Sequence, residues 1–317
     1  MGHRKHSAPR RGSLAYRPRG RAKSLIPRIR TWPKIQADKP TMLGFPAFKA
    51  GTVHAITTDD RAKTPNFGKP LFNVSSVLSV PEMQVNGLRL YARELGNDSA
   101  IADIKSDVQA SLAKAPMERV SRVAALTSVV PKDVGLSQKK PVVLEVGVGG
   151  AGVKEQAEYV AGLVGKKVKF AEVFKPGMYV DVLGITKGKG FEGPITRFGV
   201  KRKQHKSRKS VRAVAVIGPW HPAAVMYTVA RAGQMGFHQR TETGKRILLV
   251  GNAASNPVTP PGGFEHFGNV AGEYAVIRGS VPGPASRFVL VRMKVRGVVK
   301  NLTPPQVIEV STMERRR

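Results

Sequence analysis

Residues 141–165 read PVVLEVGVGGAGVKEQAEYVAGLVG, and the choice of fold turns on them. Val142 to Val146 form an apolar, β-branched run, Gly147-x-Gly149-x-x-Gly152 follows, and an amphipathic stretch opens at Val153. Strand, GxGxxG and helix in that order form the pattern of a dinucleotide-binding turn, and Glu172 sits where the acid of such a site would meet a ribose. Read that way, the chain is a nicotinamide-dependent oxidoreductase. Read otherwise, the glycines make a tight connection inside a small α/β subdomain. Two observations favour the second reading. The spacing recurs at Gly188-x-Gly190-x-x-Gly193, where Pro194 and a basic loop follow, and 33 glycines in 317 residues predict roughly 0.3 such matches by chance. A Rossmann domain also needs several alternating β–α units, whereas one helix-rich stretch precedes this turn and short strands follow it.

That helix-rich stretch is DSAIADIKSDVQASLAKA (98–115) with MERVSRVAALTSVV (117–130), whose apolar residues recur at helical spacing. Before it, FPAFKAGTVHAITTDD (45–60) and GLRLYAREL (87–95) have β-like runs punctuated by Gly, Pro and paired Asp. Asp59-Asp60 beside Arg61 reads as a turn rather than an acid/base pair. After it, KKVKFAEVFKPGMYVDVLGITKGKG (166–190) returns to short strands with Gly and Pro turns, as in a small barrel. GEYAVIRGSV and SRFVLVRMKV (272–281 and 286–295) read as two further strands, and Arg315–Arg317 as a short basic tail. The expected architecture is therefore β-rich. It divides as a basic extension at 1–44, barrel strands at 45–95, an inserted α/β subdomain at 96–168, and further barrel strands at 169–317 carrying a basic loop over about 187–270.

Charge narrows the function. The chain has 53 Lys and Arg against 21 Asp and Glu, a net of +32. Such a field concentrates polyanions, and nucleic acid is the partner it fits, because each phosphate contact releases a condensed counterion. A membrane partner is not expected, since there is no run of 18 apolar residues and no long basic amphipathic helix. Cysteine is absent, which removes disulfides, thiolate metal sites and cysteine nucleophiles and agrees with a reducing cytoplasm. The basic N-terminus lacks the apolar core of a secretory signal, and folded patterning resumes too soon for a transit peptide.

Two basic segments stand out. Residues 1–40 carry twelve Lys or Arg, one acid (Asp38) and five prolines, so they cannot bury enough apolar surface to fold alone and read as an arm that orders on RNA. Tyr16 and Trp32 within it could stack on bases. Residues 187–212, KGKGFEGPITRFGVKRKQHKSRKSVR, hold ten Lys or Arg and only Glu192 as acid. They are too glycine-rich and one-signed for a salt-bridged helix, and fit an extended loop on a phosphate backbone. Beyond them, Pro222 and Gly233 are natural ends for a short helix, with Trp220 and His221 at an exposed turn before it. GxSxG, HExxH and GxxxxGK[ST] motifs are absent, and the histidines have no metal-ligand spacing beyond the weak pair His3 and His6. No catalytic residue, cofactor, metal or small-molecule substrate is expected, nor a homo-oligomer.

HRKHSAPRRGSLAY (3–16), FKAGTVHAI (48–56), DVLGITKGKGFEGPITRFGV (181–200), IGPWHPAAVMYTVARAGQMGFHQRTE (217–242), PPGGFEHFGNV (260–270) and GSVPGPASRFVLVR (279–292) together resemble the ribosomal protein L-three family, in its archaeal and eukaryotic form. The resemblance runs in order over nearly the whole chain. It implies a translation-protein-type β-barrel with an α/β insertion, and two extensions running into large-subunit rRNA in the cytoplasmic ribosome. It also implies early action in subunit assembly near the rRNA 3′ end, and neighbours of the L-fourteen and L-twenty-four-e families. Trp220 matches the tip residue that approaches the peptidyl-transferase centre, although Pro219 precedes it where relatives often have Ala. The rRNA-binding residues expected on charge and resemblance are Arg4, Lys5, Arg10, Arg11, Arg17, Arg19 and Arg21 in the arm. In the loop they are Lys187, Lys189, Arg197, Lys201, Arg202, Lys203, His205, Lys206, Arg208, Lys209, Arg212, Trp220, His221, Arg231 and Arg240. An oxidoreductase with an RNA-binding tail and a free RNA-processing factor are the alternatives.

Overall fold

The structure is a computed structural model that describes residues 11–94, 96–207, 210–297 and 303–311. The chain divides into two compact units, Met1–Lys23 with Thr186–Gln239, and Ser24–Ile185 with Arg240–Arg317. Strands in chain order are β1 (Thr41–Met42), β2 (Gly44–Thr58), β3 (Pro70–Ser79), β4 (Met83–Glu94), β5 (Asn97–Ile104), β6 (Val120–Val129), β7 (Val142–Gly149) and β8 (Lys167–Val168). They continue as β9 (Tyr179–Ile185), β10 (Gly188–Glu192), β11 (Gly233–Gly236), β12 (Gln239–Asn252), β13 (Glu273–Arg278), β14 (Phe288–Met293) and β15 (Val307–Ser311). The helices are α1 (Val108–Lys114), α2 (Val153–Leu163), α3 (Phe170–Val173) and α4 (Pro194–Phe198).

In the larger unit one sheet runs β14-β9-β12-β13-β3-β2-β15, and β14 also pairs with β2, so hydrogen bonding returns on itself through six strands. Strand β2 explains how one strand serves two neighbours. Its first five residues are buried on both faces, and from Ala50 the burial roughly alternates, as expected of a strand with one solvated face. The aromatic centre of this core is Phe45, fully buried, edge-on to Phe170 at 5.4 Å, with Phe174 5.1 Å from Phe170.

The second sheet runs β1-β7-β6-β4-β5, with β8 on β4, and every pairing is antiparallel. Helix α2 buries Ala157 and Val160. Here the structure departs from the sequence expectation twice. Of the helical stretch expected over 98–130, only Val108–Lys114 and the 3-10 turn Met117–Arg119 are helical, and the rest is β5 and β6. Strand β6 lies between β4 and β7 and is buried on both faces, and a continuous apolar run of that kind has no period to tell strand from helix. The division expected at residue 95 also falls between β4 and β5, two paired strands of one sheet, so β4 goes with the second sheet rather than the first.

Residues 24–40, expected as part of a free arm, pack in the larger unit. Trp32 is the reason. A Cβ placed on Gly44 or Gly147 would lie 2.9 or 2.7 Å from its ring, so two glycines make the pit that the indole fills. Trp32 is thus a core-packing residue and not a base-stacking one.

The glycine turn of residues 147–152 is a real strand–turn–helix, but not a dinucleotide site. Strand β7 has antiparallel neighbours on both sides, where a Rossmann turn needs a parallel strand beyond its helix. The space in front of the turn is also filled by the chain itself. Ala151 N–H donates to the Ala37 carbonyl at 2.6 Å, and a Cβ on Gly150 (φ +84°) would lie 2.4 Å from the Lys39 carbonyl oxygen. Gln156 Nε2 closes the turn by donating to the Gly150 carbonyl at 2.7 Å. A pyrophosphate would have to displace segment 37–39, so the dinucleotide alternative fails on geometry.

Several acids of the larger unit have partners within it. Asp181, buried, accepts from Arg292 Nη2 at 3.0 Å and from the N–H groups of Gly244 and Val295 at 3.0 and 3.2 Å. Asp59 accepts from the Arg61 backbone and guanidinium, which makes it the turn residue expected and holds its carboxyl well below the usual range. Asp60 pairs with Arg246, and Arg89 bridges Asp103 and Glu145.

Candidate nucleic-acid interface

The smaller unit has the opposite composition. Met1–Lys23 and Thr186–Gln239 carry nineteen Lys and Arg and one carboxylate, Glu192. Its framework is the antiparallel ribbon β10–β11, with Phe191 opposite Gln234 and Glu192 opposite Gly233. Helix α4 follows directly. Pro194 at its first turn is pre-set for helix, and Gly199 at φ +65° ends it in the left-handed conformation. Beyond it, residues 199–232 are irregular wherever they are described, with few backbone bonds of their own, such as Lys203 N–H to the Val211 carbonyl at 3.0 Å. The stretch 187–212, expected as one extended loop, thus begins with β10 and α4 and is irregular from Gly199 on where it is described.

The short helix expected from Pro222 to Gly233 is not formed; bends and turns occupy the segment. Its capping residues are right, but Val225, Met226 and Tyr227 are all exposed, and a helix this short needs a packed face to persist.

The arm is tied to the ribbon and α4 within this unit. His238, buried, uses both ring nitrogens. Nε2 accepts from Gly236 N–H at 3.1 Å, which leaves Nδ1 to donate to the Gly20 carbonyl at 2.8 Å, the neutral tautomer. Ala22 N–H donates to the Phe237 carbonyl at 2.8 Å. The centre of the unit is Phe198. Guanidinium carbons of Arg19, Arg17 and Arg197 stand 4.1, 4.8 and 5.2 Å from its ring centroid. Arg19 Nη1 donates to the Arg197 carbonyl at 2.8 Å, and Arg197 donates to the carbonyls of Gln234 and Arg231 at 3.0 and 3.1 Å. Among the described residues, Arg17 Nε and Nη2 are buried without a hydrogen-bond partner. Burial, and then the neighbouring Arg17 charge, hold Arg197 below the usual guanidinium value. Three like charges gathered on one ring, with carbonyls rather than carboxylates as partners, suit an incoming polyanion.

The other expected residues fall around this centre. Arg11, Arg21, Lys187, Lys189, Lys201, Arg202, His205, Lys206, Arg212, His221 and Arg231 are exposed, and Lys203 is half-buried. Trp220 is 88% exposed, in the turn where it was expected. Arg240 belongs to the larger unit. Arg4, Lys5, Arg10, Arg208 and Lys209 lie outside the described residues. Sequence reasoning missed Phe198, Phe191 and Tyr227. The available signal was an aromatic ring interleaved with cations, as in Arg197-Phe198 and Lys189-Gly190-Phe191.

Comparison with known proteins agrees with the sequence resemblance. The family model described as "Ribosomal protein L3" matches residues 1–99 and 95–312. The chain is 40% identical to the large ribosomal subunit protein uL3 of Methanococcus maripaludis over 97% of both chains. It is 42% identical to that of Caldivirga maquilingensis over 96% of both, and 42% identical to that of Pyrobaculum aerophilum over 97% of this chain and 98% of the other. A match of that length, running through both the charged smaller unit and the β-rich larger one, places the chain in the ribosomal protein L3 family.

Proposed function

We propose that this chain is a structural constituent of the cytoplasmic large ribosomal subunit, and that it binds and stabilises large-subunit rRNA without chemistry of its own. The observation that carries the reading is the smaller unit, in which nineteen cations share one carboxylate. Phosphates are the counter-charge that such a surface lacks, and neutralising them releases the counterions that drive binding. The Arg17–Arg19–Arg197 cluster on Phe198 offers guanidinium forks to phosphate oxygens. The exposed lysines and arginines of 187–212 would track the backbone, and recognition would be mainly of RNA shape. Membership in the L3 family supports the ribosomal assignment.

The finer features implied by the family belong to the same proposal. The fold is read as a translation-protein-type β-barrel carrying an inserted subdomain, a basic arm and a central loop. The return of strand pairing from β14 to β2 supports that reading. Trp220 at an exposed turn supports a loop directed toward the peptidyl-transferase centre. Early assembly near the rRNA 3′ end, with L-fourteen and L-twenty-four-e relatives as neighbours, completes it.

The test is a titration of the full chain with large-subunit rRNA fragments at several salt concentrations. With six to ten phosphates engaged, affinity should fall roughly 10³- to 10⁵-fold between 50 and 200 mM salt. A shallow log–log slope would overturn the proposal. So would finding the chain substoichiometric with large subunits after a high-salt wash and co-fractionating with RNA-processing complexes instead.

A further inference from the structure

We infer that Phe191 is a stacking platform for an unpaired RNA base, presented by the β10–β11 ribbon. This rests on the RNA-binding reading above and adds a kind of contact to it, to a base rather than to phosphate. Phe191 is 80% exposed, an extreme value for a phenylalanine in a strand. It is also not alone in kind. Trp220 and Tyr227, 88% and 73% exposed, and exposed Tyr16 belong to the same small, cation-rich unit. Rings that face outward from a surface with a single carboxylate match the chemistry of single-stranded nucleic acid, which needs a π-face for the base and cations for the backbone.

The local geometry leaves room for such a base. On the Phe191 strand the ring is flanked by Gly188, Gly190 and Gly193, whereas across the ribbon the Arg197 guanidinium packs against Gly233 and the Lys187 carbonyl against Gly236. A Cβ built at Gly190 or at Gly193 meets nothing within 4 Å, so both chain neighbours of the Phe191–Glu192 pair open onto free space. Gly190 stands at φ +68°, where the pairing of the ribbon shifts register, and a side chain there would be strained as well as in the way. Lys187 and Lys189, both exposed, flank the ring on its N-terminal side and would hold the phosphates of the nucleotide that stacks. Glu192, the one acid of the unit, is half-buried and pairs across the ribbon with Gly233. Stacking on a phenyl ring is indifferent to base identity, so the site takes an unpaired base of any sequence.

The experiment compares wild type, Phe191→Ala, Phe191→Leu, Phe191→Tyr and Lys189→Ala as full chains, titrated with a single-stranded oligouridylate and with an RNA duplex of the same length. Because the ring is exposed, none of these changes should move the thermal midpoint, which serves as the folding control. Phe191→Ala and Phe191→Leu should weaken single-strand binding about 5- to 150-fold, leave duplex binding and the salt slope unchanged, and be rescued by Phe191→Tyr. Lys189→Ala should instead lower the salt slope by about 0.7 on the single strand. Ultraviolet cross-linking to the oligouridylate should place a uridine adduct on Phe191. The inference fails if Phe191→Leu binds like wild type, or if single strand and duplex weaken equally. It also fails if the variants keep RNA affinity but release a neighbouring protein from salt-washed large subunits, which would make the ring a protein contact. Loss of all salt-dependent RNA binding by wild type would instead count against the RNA-binding proposal itself.

Discussion

In the larger unit, thirty-four Lys and Arg are offset in part by twenty Asp and Glu; in the smaller, nineteen share Glu192 alone. The carboxylates of the larger unit meet cations of their own chain, as at Asp181–Arg292, Asp60–Arg246 and Arg89–Asp103. The guanidiniums of the smaller unit meet carbonyls and the Phe198 ring. Apolar residues divide less sharply. The large buried rings Phe45, Phe170, Phe174 and Tyr274 lie in the larger unit, which also exposes Phe67 and Phe72, whereas the smaller unit buries Phe198 and turns Trp220, Phe191 and Tyr227 to solvent. One unit thus meets many of its charges within itself and holds the largest buried rings. The other leaves both its charge and its rings to be satisfied by something else, which is what a binding surface requires.

The sharpest way to break that comparison is to damage the core and look for an effect on binding. Phe45→Ala should cost about 3–5 kcal/mol of folding stability, because the ring is fully buried and edge-on to Phe170. Chemical denaturation reads that loss. The salt slope of RNA binding, taken well below the new midpoint, should not change, since no phosphate contact is lost. A stability loss under 1 kcal/mol, or a changed slope in the folded variant, would mean that the two roles are not divided as described.

A smaller effect comes from acid. Asp60 and Asp103 are held below the ordinary carboxylate range, chiefly by side-chain hydrogen bonds from Arg246 and Arg89, with burial opposing. A carboxylate whose folded value lies below its unfolded value of about 3.9 stabilises the fold above that pH. That stability is lost as pH falls through the folded value. Thermal midpoints should therefore drop as pH falls below about 4, and Asp60→Asn should flatten the drop by about 1 kcal/mol, the upper range for a partly exposed ion pair. The smaller unit has only Glu192 to protonate, so the acid-labile transition should belong to the larger one. An unchanged pH profile in Asp60→Asn would show that the Asp60–Arg246 pair contributes nothing to it.

Much of this division was legible before any coordinates, and the residues show why. Charge is a local property, so the one-signed composition of 187–212 and the exposed turn at Trp220 could be read directly, whereas β10 and α4 inside that stretch could not. The strand, turn and helix of 142–163 could be read as well, because Gly152 precedes an amphipathic stretch. What could not be read was the direction of the strands beside β7, or that residues 37–39 fill its turn, since both depend on partners far along the chain. Val120–Val129 was misread because burial on both faces erases the period. The helix expected after Pro222 failed for the converse reason, good local caps with no core to dock on. The Phe198 centre was hidden because it joins position 198 to positions 17 and 19, while the cations themselves were evident.

The smallest expected effect tests the comparison from the other side. Trp220 is one of the two tryptophans of the chain, and at 88% exposure it gains almost nothing from folding. Trp220→Ala should therefore shift stability by no more than about 0.5 kcal/mol, the ordinary range for an exposed position. The same substitution should weaken single-strand RNA binding by about 1–3 kcal/mol if the indole stacks on a base. Phe45→Ala predicts the reverse pair of outcomes, so the two variants form a crossed test. If Trp220→Ala lowered the thermal midpoint substantially, the indole would be a packing residue of the free protein, and the smaller unit would be more self-contained than its charge and exposed rings imply.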